Sequence, residues 1–109
     1  MNILSTPEFN DWLLDLNTKE RAQVDDRLDR IREHDHFGDK KFLGDDLFEL
    51  RWRSGRRVYY AIVEDTNGNA AVMLLGGHKN GQRRDIIHAR RILEREAPQA
   101  GPGRQGAGL

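Results

Sequence analysis

The stretch between residues 47 and 79 restricts the fold most. Three runs rich in β-branched and aromatic residues occur in it, at 47–53, 56–63 and 70–79, separated by the breaks Ser54-Gly55 and Asn67-Gly68. Short apolar runs with glycine-containing breaks between them are typical of consecutive antiparallel strands joined by tight turns. The stretch therefore predicts a three-stranded antiparallel meander.

The first of these runs has two chemically different faces. Apolar side chains alternate with charged ones, Phe48, Leu50 and Trp52 with Glu49, Arg51 and Arg53. Because successive side chains of a strand point to opposite faces of the sheet, one face is predicted to be apolar and the other to carry guanidinium groups. We expect the functional site on the cationic face.

Helices are predicted on both sides of the meander. Residues 2–4 form a short apolar segment, read as an edge strand, and Ser5-Thr6-Pro7-Glu8 predicts a helix start. Asn17 and Glu20 have the spacing of a capping box for a second helix, whose residue Arg27 is expected to face water. Residues 40–46 are read as a connector that turns at Gly44.

A last helix is predicted from about Arg83 to Glu96, ended by Pro98. Its buried stripe is expected at Ile86, Ala89 and Leu93, with Ile87 and Ile92 at the margins. The resulting order of strand, two helices, three strands and helix predicts an α+β fold, in which an N-terminal strand and a helical hairpin pack on an antiparallel sheet with a C-terminal helix.

Length and composition indicate one domain at 1–97, followed by a disordered Gly/Pro-rich tail at 98–109. The chain contains no cysteine, which excludes disulfides, thiolate zinc sites and cysteine nucleophiles. No apolar run reaches the length of a membrane span, and Met1 leads into no signal segment. A cytoplasmic protein with no membrane association is therefore expected.

The net charge of zero conceals an asymmetry. Residues 1–46 carry 12 acidic and 7 basic side chains, whereas residues 47–109 carry 6 acidic and 11 basic ones. Such a polarity suits a polyanionic partner on the basic side, although helices with solvated acidic faces would produce it too. The arginines on predicted strand faces favour the first interpretation, because long solvated side chains are less usual there.

Arg51 and Arg57 are the central pair of the predicted site. Folding at the Ser54-Gly55 turn brings them close together, and adjacent guanidinium groups repel each other unless an anion lies between them. Planar guanidinium groups match phosphate oxygens, so the pair suits a nucleic-acid backbone. The alternative is that the arginines pair with internal carboxylates, for which the candidates are Glu49, Glu64 and Asp85.

Tyr59 and the segment after the third run supply candidates for catalysis. Tyr59 and Tyr60 are expected on opposite faces, one in the core and the other, Tyr59, either stacking on a base or packing across strands. Gly76-Gly77 would allow close approach of a ligand. His78 could transfer protons and Lys79 could stabilise charge on a phosphorane, although an exposed loop histidine is the commoner case.

No other motif indicates a reaction. The sequence has no phosphate-binding loop, dinucleotide fingerprint or zinc-binding histidine pair, and His34 with His36 is read as a polar helix end closing at Gly38. We therefore predict no metal and no cofactor. Metal-independent RNA cleavage needs neither, because the ribose 2′-hydroxyl is the nucleophile.

Three segments resemble the RelE/ParE superfamily of type II toxin–antitoxin toxins, in particular the HigB-like branch of addiction-module killer proteins. They are Leu47-Phe48-Glu49-Leu50-Arg51, Gly55-Arg56-Arg57-Val58-Tyr59-Tyr60, and Leu74-Leu75-Gly76-Gly77-His78-Lys79 followed by Gln82, Asp85-Ile86 and Ala89-Arg90. The resemblance covers roughly residues 7–93. Arg56 stands where these toxins usually have tyrosine, and His78 where they usually have aspartate.

The resemblance implies a RelE-like fold and, for many relatives, ribosome-dependent cleavage of mRNA. By position it assigns phosphate contacts to Arg51, Arg57 and Lys79, and the chemistry of the residues themselves offers His78 or Tyr59 as groups that transfer protons. Arg53, Arg56 and Arg83 complete the predicted RNA-binding set. It also implies a cognate antitoxin, expected to be a helix-turn-helix protein. The chain would contact DNA only through this antitoxin.

Two other functions remain open at the sequence level. A ParE-like protein would inhibit DNA gyrase without cleaving RNA, and a degenerate relative would persist as an interaction module without toxicity. Cuts within codons of mRNA would indicate the ribonuclease, whereas an SOS response with loss of supercoiling would indicate the gyrase inhibitor.

Overall fold

The structure, a computed structural model, describes residues 1–96. The elements are β1 (Asn2–Ser5), α1 (Pro7–Asp15), α2 (Thr18–His34), β2 (Lys40–Gly44), β3 (Leu47–Arg51), β4 (Arg56–Asp65), β5 (Gly68–His78), a 3₁₀ turn (Lys79–Gly81) and α3 (Gln82–Glu96). The predicted α+β arrangement is confirmed. The tail predicted at 98–109 lies outside the described residues.

The five strands form one sheet in the order β1-β5-β4-β3-β2. Strands β3, β4 and β5 pair antiparallel in sequence order, as the meander prediction required. Strand β1 occupies an edge, as predicted, and pairs parallel to β5, with Asn2 opposite Ala70. The sheet is therefore mixed and not purely antiparallel.

The connector predicted at residues 40–46 is wrong. Lys40 to Gly44 form the edge strand β2, which pairs antiparallel with β3, and the hairpin turns at Asp45 and Asp46, both at positive φ. The strand was missed because its side chains do not alternate between apolar and polar. An edge strand is paired on one side only, so lysines and an exposed phenylalanine are tolerated there.

Both N-terminal helices start where the capping signals predicted. The Thr6 hydroxyl accepts a hydrogen bond from the backbone N–H of Phe9 and donates one to the carbonyl oxygen of Leu74, at 2.7 Å. The Asn17 side chain and Glu20 form the predicted reciprocal capping box. Thr6 thus fixes the start of α1 directly against β5.

The second helix ends earlier than predicted, and one of its arginines is partly buried. Its C-cap is Asp35, in the left-handed conformation, and not Gly38. Arg27 donates to the carbonyl oxygens of Phe37 and Arg51, the latter at 2.9 Å, and its guanidinium lies 4.3 Å from the centre of the Trp52 ring. Burial accordingly lowers the pKa of Arg27. Arg27 therefore attaches α2 to the end of β3.

Each face of the sheet is covered by helices. The first core lies under α1 and α2 and contains Phe9, Val24, Leu28, Ile31, Leu50, Val58, Tyr60, Ala71 and Met73. The second lies under α3 and contains Leu47, Tyr59, Ala61, Val72, Leu74, Leu75, Ala89 and Ile92. The face predicted to carry guanidinium groups is therefore open only beyond the area that α3 covers.

Two predictions about burial need correction. Tyr59 and Tyr60 do face opposite sides, but both are core residues, 0% and 1% exposed, since each side of the sheet has its own core. In α3, Ile92 is buried and was expected at the margin, whereas Ile87 is 51% exposed. The helix is thus rotated slightly from the predicted orientation. Its end is tied to α1 by the ion pair of Arg95 with Glu8.

Candidate functional site

Arg51 and Arg57 lie directly opposite each other in the pairing of β3 with β4. This confirms the predicted proximity across the Ser54-Gly55 turn, because residues paired in this way project to the same face of a sheet. Their accessibility differs. The side chain of Arg51 is 39% exposed and that of Arg57 is 9% exposed. Arg51 is therefore the member of the pair that a ligand can reach directly.

A buried carboxylate lies between the two arginines. Glu49 is 0% exposed, and its Oε1 atom lies 3.7 Å from Nε of Arg51 and 3.8 Å from Nε of Arg57. Gln82, at the start of α3, donates a hydrogen bond of 2.6 Å to the other carboxylate oxygen. The alternative pairing with Glu49 is thus present. One carboxylate cannot neutralise two guanidinium groups, so the cluster keeps a net positive charge.

Several polar atoms at the centre of this cluster are buried without a hydrogen-bond partner among residues 1–96. They are Glu49 Oε1, Arg57 Nε and the Tyr59 hydroxyl. Arg57 is nevertheless held in place, because its Nη1 atom donates to the carbonyl oxygens of Trp52 and Arg56, at 3.1 and 2.9 Å. Arg57 is therefore a fixed charge behind Arg51.

Tyr59 lies beside Glu49 in the same strand pairing. Burial, followed by the negative charges of Glu49 and Asp85, raises the pKa of Tyr59 strongly, so its hydroxyl is a weaker acid than that of an ordinary tyrosine. A ring that is 0% exposed offers no face to a nucleobase in this conformation. The structure thus places Tyr59 as a cross-strand packing residue next to the arginines.

Side chains of the same chain fill the space beside the Gly76-Gly77 pair. A Cβ atom at Gly76 would overlap the indole ring of Trp12, and one at Gly77 would overlap the carboxylate of Asp85. Burial raises the pKa of Asp85, while Arg84 and His88 oppose the shift. The two glycines therefore allow α1 and α3 to pack against the end of β5. The space beside the glycines, which we expected a ligand to use, is occupied by Trp12 and Asp85.

His78 and Lys79 lie against the turn that joins β3 to β4. The Nε2 atom of His78 lies 3.2 Å from the carbonyl oxygen of Ser54, and its Nδ1 atom accepts from the backbone N–H of Asn80. The backbone N–H of Lys79 donates to Gly55 at 2.7 Å. Because Nδ1 accepts, the neutral ring carries its proton on Nε2. Both side chains are exposed.

His78 pairs with Arg56 and not with Arg57. Arg56 projects to the other side of the sheet, where Nη1 donates to Gln23 at 3.0 Å and Nη2 lies 3.6 Å from Glu20. At 7% exposure Arg56 holds α2 against the sheet and is separated from the Arg51–Arg57 pair. Two consecutive arginines thus serve opposite faces.

The remaining predicted contacts lie farther out. Arg53 is exposed on the turn and lines a polar depression with Gln23, Arg27 and Trp52. Arg83 is exposed in the first turn of α3 and lines a groove on the outer side of that helix. The structure thus brings together Arg51, Arg57 and Tyr59 around Glu49, places His78, Lys79 and Arg53 at the turn, and sets Arg56 and Arg83 apart.

Gln82 is the contact that sequence reasoning missed. Gln82 and Asp85 are three residues apart, which places them on one side of a helix, and that spacing next to a strand with Glu49 was the available signal. Among residues 1–96, no three His, Asp or Glu side chains come together as a metal site would require. None of the helices there is long and apolar enough to span a membrane.

Comparison with known proteins places the chain in a family. Residues 11–97 match the family of phage-derived Gp49-like proteins, DUF891. An uncharacterised protein of Haemophilus influenzae is 34% identical over 97 residues, which cover 86% of this chain and 94% of that protein.

Solved toxin structures share the fold. A mutant of Escherichia coli RelE in the free state matches with a TM-score of 0.62 at 16% identity, over 81% of this chain and 90% of that one. The E. coli RelBE toxin–antitoxin complex matches at 0.58 and 18%, over 71% and 94%. The YoeB/ParE toxin of Agrobacterium tumefaciens matches at 0.57 and 12%, over 72% and 98%. The chain therefore belongs to the Gp49-like family of phage-derived proteins and has the RelE-like fold.

Proposed function

We propose that this chain is the toxin of a type II toxin–antitoxin pair, of the HigB-like branch, and that it is a metal-independent endoribonuclease that cleaves mRNA on the ribosome. The observation that carries the proposal is the Arg51–Arg57 pair with Glu49 as its single shared carboxylate. An excess of positive charge on adjacent strands attracts the phosphate of an RNA backbone. The fold shared with RelE and the three matching sequence segments point the same way.

In this proposal the exposed cations contact the RNA. Arg51 binds the scissile phosphate, with Arg57 as a fixed positive charge behind it, and Lys79 and Arg53 bind at the turn. Arg83 contacts RNA farther out. Arg56 contributes to the packing of α2, since it faces the other side of the sheet.

Cleavage follows from the chemistry of RNA itself. The 2′-hydroxyl attacks the adjacent phosphorus, the bond to the 5′-oxygen breaks, and a cyclic phosphate and a free 5′-hydroxyl result. His78 takes up the 2′-hydroxyl proton or returns one to the leaving oxygen. Because His78 pairs with Arg56, its ring must leave the carbonyl oxygen of Ser54 and turn around the end of the sheet toward Arg51. The proton of Tyr59 is buried and reaches the phosphate only if the groups packed around the tyrosine move.

The partners in the proposal are a cognate antitoxin, expected to be a helix-turn-helix protein, and the translating ribosome with its mRNA. The fold relative RelE forms a complex with its antitoxin in the RelBE structure. DNA is contacted only through the antitoxin. Since mRNA and ribosomes are the targets, the protein acts in the cytoplasm.

A ParE-like inhibitor of DNA gyrase is the second candidate. The burial of both Arg57 and Tyr59 favours it. A catalytic side chain must contact its substrate, whereas an inhibitor needs only an exposed binding surface. The two functions have different effects on a cell, because one cuts mRNA and the other reduces DNA supercoiling.

The test is to express the chain from a tightly controlled promoter and to map RNA ends with and without a translation inhibitor. Cuts within codons that need translation are expected. Arg51→Ala and Lys79→Ala should reduce cutting by about 10²-fold, since each removes a group that stabilises charge on the phosphate. Arg32→Ala is the matched control, because Arg32 is an exposed arginine on α2 that pairs with Asp29.

Other outcomes would overturn the proposal. Loss of DNA supercoiling with an SOS response and intact mRNA would indicate gyrase inhibition, and normal growth would indicate an interaction module. RNA cutting by the Arg51→Ala variant at the wild-type level would show that the activity does not depend on the residues assigned to it.

A further inference from the structure

The outer side of α3 carries a groove that the proposed ribonuclease site does not use. The groove has a volume of about 620 Å³ and is lined by Asn80, Gly81, Arg83, Arg84, Ile87, His88 and Arg91. The lining thus contains three arginines and a histidine and no carboxylate, although the nearby charge of Asp85 acts on Arg84 and His88 and that of Glu8 acts on His88. Within residues 1–96, none of these four side chains forms an ion pair.

An exposed apolar side chain stands at the centre of this basic surface. Ile87 is 51% exposed, with Arg83 and Arg84 one helical turn before it and Arg91 one turn after it. The distance along the helix from Arg83 to Arg91 is about 12 Å at the rise of an α-helix. A partner that fits must offer negative charge at both ends and an apolar group between them.

We propose that this groove binds an acidic amphipathic helix of a partner protein. A helix of that kind places carboxylates one turn on either side of an apolar side chain, which matches the arginines around Ile87. An RNA backbone would satisfy the arginines too. It would leave Ile87 opposite charged phosphates, however, so burial of the isoleucine favours the peptide. The inference concerns α3 alone and stands whether or not the ribonuclease proposal holds.

The experiment uses the full chain and three fluorescent probes at low ionic strength. The first probe is a synthetic helical peptide with glutamates flanking leucines at helical spacing, the second is the same peptide with lysines for glutamates, and the third is a poly(A) oligonucleotide. Fluorescence anisotropy gives the affinity for each. The glutamate peptide should bind and the lysine peptide should not.

Substitutions then locate the contact. Ile87→Ser should weaken binding of the glutamate peptide by about tenfold through lost apolar burial, and Arg84→Glu with Arg91→Glu should weaken it further. Leu14→Ser is the matched control, because Leu14 is an exposed leucine of α1, 66% exposed, and its loss should have no effect. All these positions are on the surface, so circular dichroism should show unchanged folding.

The proposal is overturned if the glutamate peptide does not bind, or if it binds equally to Ile87→Ser. It is overturned in favour of a nucleic-acid surface if the oligonucleotide binds and loses affinity on Arg84→Glu while the peptide does not bind.

Discussion

Arg51 and Arg57 face each other across β3 and β4, and both direct Nε toward the same oxygen of Glu49, at 3.7 and 3.8 Å. Glu49 is fully buried and also accepts a hydrogen bond from Gln82 of α3. The position of the arginines is therefore coupled, through one carboxylate, to the first turn of the last helix.

Replacement of this carboxylate should destabilise the fold. Glu49→Ala leaves the buried Arg57 without its counter-charge and Gln82 without its acceptor, and should lower the free energy of unfolding by about 3 kcal/mol. Urea denaturation measures the loss. Glu64→Ala, at an exposed carboxylate of β4, is the control and should change stability by less than about 0.5 kcal/mol. Equal effects of the two substitutions would show that the interactions of Glu49 with Arg57 and Gln82 do not stabilise the folded protein.

Alanine substitutions at two glycines in turns distinguish the cost of backbone strain from the cost of steric overlap. Gly55 and Gly68 have φ of +105° and +113°, but a Cβ atom at Gly55 would overlap the His78 ring, whereas one at Gly68 meets nothing within 4 Å. Gly68→Ala should cost about 1–2 kcal/mol from strain, and Gly55→Ala about 1–3 kcal/mol more. Thermal unfolding measures both. An equal cost would mean that His78 moves aside freely.

The Tyr59 hydroxyl lies near Glu49 but meets no partner at hydrogen-bond geometry among the described residues, so its removal should not harm the fold. Tyr59→Phe should leave the free energy of unfolding unchanged or raise it by up to about 1 kcal/mol. Tyr59→Leu removes the ring and should cost about 2–3 kcal/mol. A clear destabilisation by Tyr59→Phe would reveal a hydrogen bond at the hydroxyl, and a loss of RNA cleavage without loss of stability would assign it a role in the reaction.

The ion pair of Glu8 with Arg95 should stabilise the protein in a pH-dependent way. The hydrogen bond from Arg95 lowers the pKa of Glu8 from 4.5 to about 2. A carboxyl group with a lowered pKa stabilises the folded state above its ordinary pKa and ceases to do so as the pH falls through the folded value. The Glu8 side chain is 28% exposed and that of Arg95 49%, so solvent weakens the pair.

The corresponding variant is Glu8→Gln. Near neutral pH it should lower the free energy of unfolding by about 0.5 kcal/mol. The difference from the wild type should shrink as the pH falls from about 4.5 to about 2. Denaturant titrations at several pH values measure it. A difference that stays constant across this range would exclude the ion pair as its cause.

The strands and helices that could be predicted are those whose local signals agree with their environment. The runs at β3, β4 and β5, the Thr6 cap and the capping box of Asn17 with Glu20 all depend on neighbours in sequence. Strand β2 could not be predicted in the same way, because Lys40, Lys41 and Phe42 alternate in neither charge nor polarity. Only the exposed edge of β3 explains their conformation.

The site could be predicted in part. The proximity of Arg51 and Arg57 follows from a tight turn between two strands. The burial of Glu49 does not follow, because it depends on the start of α3 lying over the charged face of β3. The opposite roles of Arg56 and Arg57 follow from alternation in β4, but no local signal shows that Glu20 and Gln23 of α2 receive Arg56.

The parallel pairing of β1 with β5 has a consequence for how the chain acquires its structure during synthesis. Asn2 pairs with Ala70, and the Thr6 hydroxyl that caps α1 bonds to Leu74, 68 residues away. The N-terminal residues leave the ribosome first, but β1 can join the sheet only after β5 has been synthesised. Contacts between distant parts of a chain form slowly, so the nascent chain should stay incompletely folded until β5 has emerged.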